Sequence, residues 1–156
     1  MKGALAIAAA LIALSAAAMA QSDDRKIIPG ERVGPVQLGM SAEEVVGQWG
    51  RPEEIEPDKN GGTFYRYAAR GILVVISDDA KPEVSLILVT DKSYTTDKGV
   101  RVGSPSSEVS SAHGKQDNER GETDRTYLMA YRNLGLVFRV ENANQRVEGI
   151  LILSRE

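Results

Sequence analysis

The sequence predicts an α+β fold built from two tandem repeats, each a short helix followed by a three-stranded antiparallel meander, with the helices on one sheet face. Three observations predict it. Glycines, a tyrosine and core valines recur at a fixed offset of 64 residues. A start signal and a glycine stop bracket one short helical segment in each copy. Three short apolar runs, separated by turn residues, follow each helix.

The first twenty residues stand outside that fold. Met1-Lys2 carries one positive charge, Ala4 to Leu14 is unbroken apolar sequence, and Ala18-Met19-Ala20 is a small-x-small cleavage box. This is the pattern of a secretory signal peptide over residues 1–20, and it implies export to the periplasm or the medium. Gly3 to Ala20 is barely long enough to span a bilayer and is followed by Asp23 and Asp24, so no stable membrane insertion is expected after cleavage. The remaining 136 residues carry a net charge of −4. The chain has no cysteine, which excludes disulfides, thiolate nucleophiles, zinc knuckles and iron–sulfur clusters together. A mildly acidic chain with no basic patch gives no footprint for nucleic acid.

The first repeat covers residues 21–96 and the second 97–156. Val36-Gln37-Leu38-Gly39 aligns with Val100-Arg101-Val102-Gly103, Glu44-Val45 with Glu108-Val109, Gly50 with Gly114, Tyr67 with Tyr131 and Gly71 with Gly135. After one deletion, Val84-x-x-Ile87 meets Val147-x-x-Ile150. In the first copy Ser41-Ala42-Glu43-Glu44 is a capping box, and the helix runs through Val45, Val46 and Trp49 to Gly50. In the second, Ser104-Pro105 opens a helix with proline at its first position, which then runs through Val109, Ala112 and His113 to Gly114. Gly50 and Gly114 sit where a left-handed residue is wanted, and Gly39 and Gly103 should share one backbone conformation.

Polar loops follow, Glu53 to Gly62 and Gln116 to Arg125. Strands are expected over Thr63 to Ala69, Ile72 to Ser77 and Val84 to Thr90, and again over Tyr127 to Asn133, Leu136 to Glu141 and Val147 to Ser154. Neither half has enough core to stand alone, so the two sheets should join or stack.

The pattern Val33-Gly34-x-Val36-x-Leu38-Gly39-Met40-Ser41-x-x-Glu44-Val45, then Trp49-Gly50-x-Pro52 and a Tyr-x(3)-Gly hairpin, resembles the repeat unit of the beta-lactamase inhibitor protein and SmpA/OmlA-like superfamily of small bacterial envelope proteins. The resemblance implies a tandem helix-plus-antiparallel-sheet module. Its motifs are glycines and core positions, so no functional residue carries over. The chain departs from the inhibitors in lacking disulfides. It departs from the lipoproteins in lacking a lipid-bearing cysteine and in having two copies.

No catalytic motif is present: there is no G-x-S-x-G, H-E-x-x-H, Walker A or dinucleotide fingerprint. His113 is the only imidazole and aligns with Trp49, which points to packing at a helix end rather than to catalysis. One histidine without cysteine cannot assemble a metal site. Asp58-Lys59-Asn60-Gly61-Gly62 lacks the ligand alternation and the distal glutamate of a calcium loop. The expectation is a protein that is not an enzyme and has no cofactor.

Strand alternation says more. With Leu136, Phe138 and Val140 facing the helix, the aligned Ile72, Val74 and Ile76 are core, which turns Leu73 and Val75 outward. Leu86 to Val89 and Ile150 to Leu153 are apolar on both faces. Such a second face is either covered by stacking or is an interaction surface. The first functional reading is an exported module binding an envelope or extracellular protein, or a second copy of itself, through Leu73, Val75 and nearby loops. The alternative is a small-ligand carrier with a pocket between helix and sheet lined by Tyr65, Tyr67 and Tyr131.

Overall fold

The structure is a computed structural model and describes residues 24–117 and 123–156. The leader read at 1–20 and the middle of the second polar loop lie outside the described residues. The described residues form an α+β fold with two helices and two sheets, in which strands predominate.

Two helices of eight residues each are present, α1 (Ala42–Trp49) and α2 (Ser106–His113). Such lengths are marginal in isolation and depend on packing. The capping box forms as expected: the Glu44 amide donates to the Ser41 hydroxyl at 3.2 Å, and the Ser41 amide donates to the Glu44 carboxylate at 2.7 Å. The start of α2 differs from expectation. Pro105 is the N-cap residue rather than the first helical one, and no side chain caps that end. Ser104 is buried and its hydroxyl instead accepts the Arg101 amide. Gly50 and Gly114 both have φ of +80°, but with ψ of −170° and −151° they sit outside the left-handed helical region expected of them. Gly39 and Gly103 share positive φ, +85° and +94°.

The main sheet has seven strands, all antiparallel. In chain order these are β4 (Glu54–Pro57), β5 (Thr63–Tyr67), β6 (Ile72–Ile76), β7 (Val84–Val89), β9 (Thr126–Tyr131), β10 (Leu136–Glu141) and β11 (Arg146–Leu153). Their spatial order is β4-β5-β6-β7-β11-β10-β9. The halves therefore join edge to edge through β7 and β11, with Leu88 opposite Leu151 and Leu86 opposite Leu153. They do not stack.

Three local readings are corrected. Residues 54–57, read within a polar loop, form edge strand β4. The Glu-Ile-Glu alternation suits an edge, where both carboxylates reach Arg66 on β5. The ends of the first strand in each meander are 3₁₀ turns, Ala68–Arg70 and Arg132–Leu134, that feed the left-handed Gly71 and Gly135. Residues 24–37, with no assigned strands in the sequence, contribute β1 (Lys26–Ile28), β2 (Arg32–Val33) and β3 (Val36–Gln37). These pair as a small sheet in the order β3-β2-β1-β8, where β8 (Thr95–Thr96) runs parallel to β1.

One hydrophobic core serves the whole molecule. It runs from Ile27, Val33 and Val36 of the small sheet through Val45, Trp49 and Val109 of the helices to the inward side chains of the main sheet. Facing residues in antiparallel strands share a side. Tyr67, Ile72, Val89, Ile150, Phe138 and Met129 thus form one inward row, and every one of them is buried. Both helices lie on this side: Trp49 meets Tyr67 edge-on at 5.4 Å, and His113 lies 5.4 Å from Phe138.

Candidate functional site

The side of the main sheet opposite the helices is apolar across both halves. One row reads Leu73, Leu88, Leu151, Val137 and Ala130 across β6, β7, β11, β10 and β9. The next reads Phe64, Val75, Leu86 and Leu153 across β5, β6, β7 and β11. Apart from the buried Ala130, these side chains are half-buried, shielding one another with no element laid across them among the described residues. Gly149 opens the face locally, and Leu88 and Arg139 lean over it, 3.1 Å and 3.5 Å from where its Cβ would stand.

Two groups of ion pairs lie along the sheet. At one end Arg66 bridges Glu54 at 2.8 Å and Glu56 at 3.9 Å. At the other, Arg139 meets Glu148 at 2.6 Å. All these groups are about half-exposed, so each pair adds on the order of 1 kcal/mol or less to stability. They flank the apolar rows on β4–β5 and on β10–β11.

Leu73 and Val75 lie on this face on β6, with Leu73 directly opposite Arg66 of β5. Phe64, Leu88, Leu151, Leu153 and Val137 complete it. The sequence showed β7 and β11 to be apolar on both sides, but not that they are neighbours, which is a pairing across more than sixty residues.

The three tyrosines do not converge. Tyr67 and Tyr131 are 3% and 2% exposed and belong to different halves. Each donates its hydroxyl at 3.0 Å to the carbonyl of the glycine that ends the nearby helix, Tyr67 to Gly50 and Tyr131 to Gly114. Burial pushes the Tyr67 hydroxyl up to about 12 and raises that of Tyr131 as well. These are helix anchors. Tyr65 is half-buried and lines an open depression of about 470 Å³ with Ala42, Asp58, Gly62, Ile76 and Pro82. It faces Val74, with four strands between its own strand and that of Tyr131.

His113 offers no catalytic constellation. Both ring nitrogens are buried without a hydrogen-bond partner among the described residues, so no serine or aspartate is linked to it. No cluster of three or more potential metal ligands occurs among the described residues. None of the described helices is long and apolar enough to cross a membrane.

No family model matches the chain, and no curated protein matches it in sequence. Solved structures are similar to it. The uncharacterized protein yfeY from Escherichia coli matches with a TM-score of 0.56 at 13% identity, covering 80% of this chain and 97% of that one. A DUF4309 family protein, YjgB from Bacillus subtilis, matches with a TM-score of 0.56 at 17% identity, covering 81% and 88%. An extracellular protein containing a SCP domain, from Bacillus anthracis, matches with a TM-score of 0.54 at 12% identity, covering 75% of this chain and 44% of that protein. The chain spans less than half the length of this last relative. At these identities the likeness is one of fold.

Proposed function

We propose that the protein is an exported, non-enzymatic binding module that engages another protein through the helix-free face of its main sheet. One observation carries this reading: a continuous apolar face, flanked by ion pairs at two places, spans both halves with nothing laid across it among the described residues. Apolar patches of this kind on single chains usually mark interaction surfaces. The leader-like residues 1–20 support export, as does the fold shared with an extracellular protein.

We further infer that residues 21–96 and 97–156 are two copies of one unit. Hydrogen bonds of the first half have counterparts 63 or 64 residues later. The Gly39 amide donates to Val84 and the Gly103 amide to Val147; the Thr90 amide donates to Gly71 and the Leu153 amide to Gly135. The Glu53 carboxylate accepts from Ala68 and Ala69, and the Asp117 carboxylate accepts from Arg132. Such a history would place the chain beside the beta-lactamase inhibitor protein and SmpA/OmlA-like superfamily that its glycine pattern resembles.

The test is the double variant Leu73→Asp with Val75→Lys. Both side chains are half-buried and point away from the core, so far-UV circular dichroism should show a folded protein. Partners captured from envelope extract by the unaltered protein should be lost with the variant. Equal capture by both would remove the face from the binding reading. Native mass spectrometry of the purified protein, if it retained a small molecule, would favour the carrier reading instead.

A further inference from the structure

We infer that the second half carries an acid-operated latch: protonation of His113 releases α2 from the sheet while α1 stays docked. This inference stands independently of the binding face. The geometry that carries it is the seat of the imidazole. His113 is the last residue of α2, and its ring lies 5.5 Å from Tyr131 on β9 and 5.4 Å from Phe138 on β10. Both ring nitrogens are sealed from solvent without a hydrogen-bond partner among the described residues.

A histidine at a helix C-terminus is ordinarily welcome as a cation, because the last carbonyls attract it. Here one of those carbonyls already holds a cation. The Lys98 ammonium donates to the Ala112 carbonyl at 2.8 Å. A proton on His113 would therefore place a second positive charge beside Lys98, in an aromatic seat that offers no acceptor. Among the described residues, Asp97, next in chain to Lys98, is the group that favours the charged ring. Desolvation and Lys98 outweigh it, and the imidazole is held below its ordinary range.

The sign follows from that direction. The neutral ring is the form that docks, while in an undocked helix the ring regains an ordinary pKa of about 6.5. Docking of α2 is thus at full strength above about pH 6.5 and weakens as pH falls toward the lower docked value. Over that interval the undocked population rises by up to about tenfold per pH unit. Besides this seat, α2 is held by the Tyr131 hydroxyl on Gly114, by Lys98 on Ala112 and by the Ser106 amide on Gln145. Val109 is its one buried residue and no side chain caps its start, whereas α1 buries Val45 and Trp49 and has a complete capping box. Undocking would uncover the aromatic seat formed by Tyr131 and Phe138.

Hydrogen–deuterium exchange of the intact protein at about pH 5 and pH 7.5, corrected for intrinsic chemical rates, tests the latch. Residues 106–114 should lose several-fold of their protection at the lower pH, and residues 42–50 should not. His113→Phe keeps a ring in the seat but cannot take the proton, so it should abolish the acid loss. The ring titration of the unaltered protein, followed by NMR, should fall below about 6.5. Unchanged protection of 106–114, an acid loss that survives in His113→Phe, or a ring titrating at or above the ordinary value would each overturn the latch.

Discussion

The two halves of the molecule hold their helices by one scheme and different chemistry. In each, an aromatic hydroxyl reaches the glycine that ends the helix, and a ring from the last helical residue packs on that tyrosine. In the first half the ring is Trp49, with the Arg70 guanidinium 5.4 Å over it, and the helix start is capped reciprocally by Ser41 and Glu44. In the second the ring is the imidazole of His113, and Pro105 leaves the helix start without a side-chain cap. What repeats is backbone geometry, namely positive φ at glycines and bonds to carbonyls. Those positions have few chemical alternatives. The ring position has several, provided the side chain is flat and fills the seat. The difference teaches that one backbone arrangement accepts two different rings, and that only the first helix has a side-chain cap at its start.

Substitutions in matched pairs can break or sharpen this comparison. The largest effect is expected at the left-handed glycines after the 3₁₀ turns. A Cβ at Gly135 would run into the Leu153 carbonyl and the backbone of Gly30, whereas at Gly71 it would meet the Asp91 Cβ at 2.7 Å and its amide nitrogen at 2.9 Å. Both positions have φ near +65°, which adds strain for alanine. Gly135→Ala should cost about 3 kcal/mol or more and Gly71→Ala about 2 kcal/mol, measured by urea denaturation. Equal costs would mean that the N-terminal turn does not press on the second half.

Next come the tyrosine anchors. Tyr67→Phe and Tyr131→Phe each remove one buried hydroxyl bond and should each cost about 1 kcal/mol. A much smaller loss in the second half would show that α2 relies on His113 rather than on its tyrosine.

Effects of the same size or smaller lie at the helix starts. Ser41→Ala should cost about 1 kcal/mol by opening the capping box. Pro105→Ser should do the reverse in the second half. It sets a serine at an extended N-cap, three residues before Glu108, and recreates the pattern found in α1. The gain should be about 0.5 kcal/mol at most, because the stiffening of the unfolded chain by proline is lost. All six denaturation curves should remain single transitions, since one core spans both halves.

How far the fold was legible follows from the range of the signals. Ser41, Glu44 and Gly50 act within one or two turns of chain, so α1 could be read directly. The run Leu136 to Glu141 alternates over six residues and was delimited correctly as β10. Edge strand β4 was missed because its exposed Glu54, Ile55 and Glu56 resemble a solvated loop until Arg66 is seen beside them. Strands β1 to β3 were missed because they span two or three residues each, too short for any period to show.

The candidate site divides in the same way. The outward placement of Leu73 and Val75 follows from a period of two once Ile72, Val74 and Ile76 are inward. The pocket imagined for Tyr65, Tyr67 and Tyr131 required them to be close in space, and nothing local in a sequence can establish that.

The sequence by itself therefore determined the local grammar: the presence of both helices and the full cap of α1, which glycines turn the chain, and which residues of β6 and β10 face the core. Only the tertiary structure decided how the two halves meet. Strands apolar on both sides, such as β7 and β11, could bury their second face by stacking or could pair along their edges and leave it bare. Both arrangements satisfy the same alternation of side chains. The choice rests on backbone hydrogen bonds between Leu86 to Val89 and Ile150 to Leu153, which carry no side-chain signature. Pairing along that edge closed the seven-stranded sheet, and it left the row from Leu73 to Val137 facing outward.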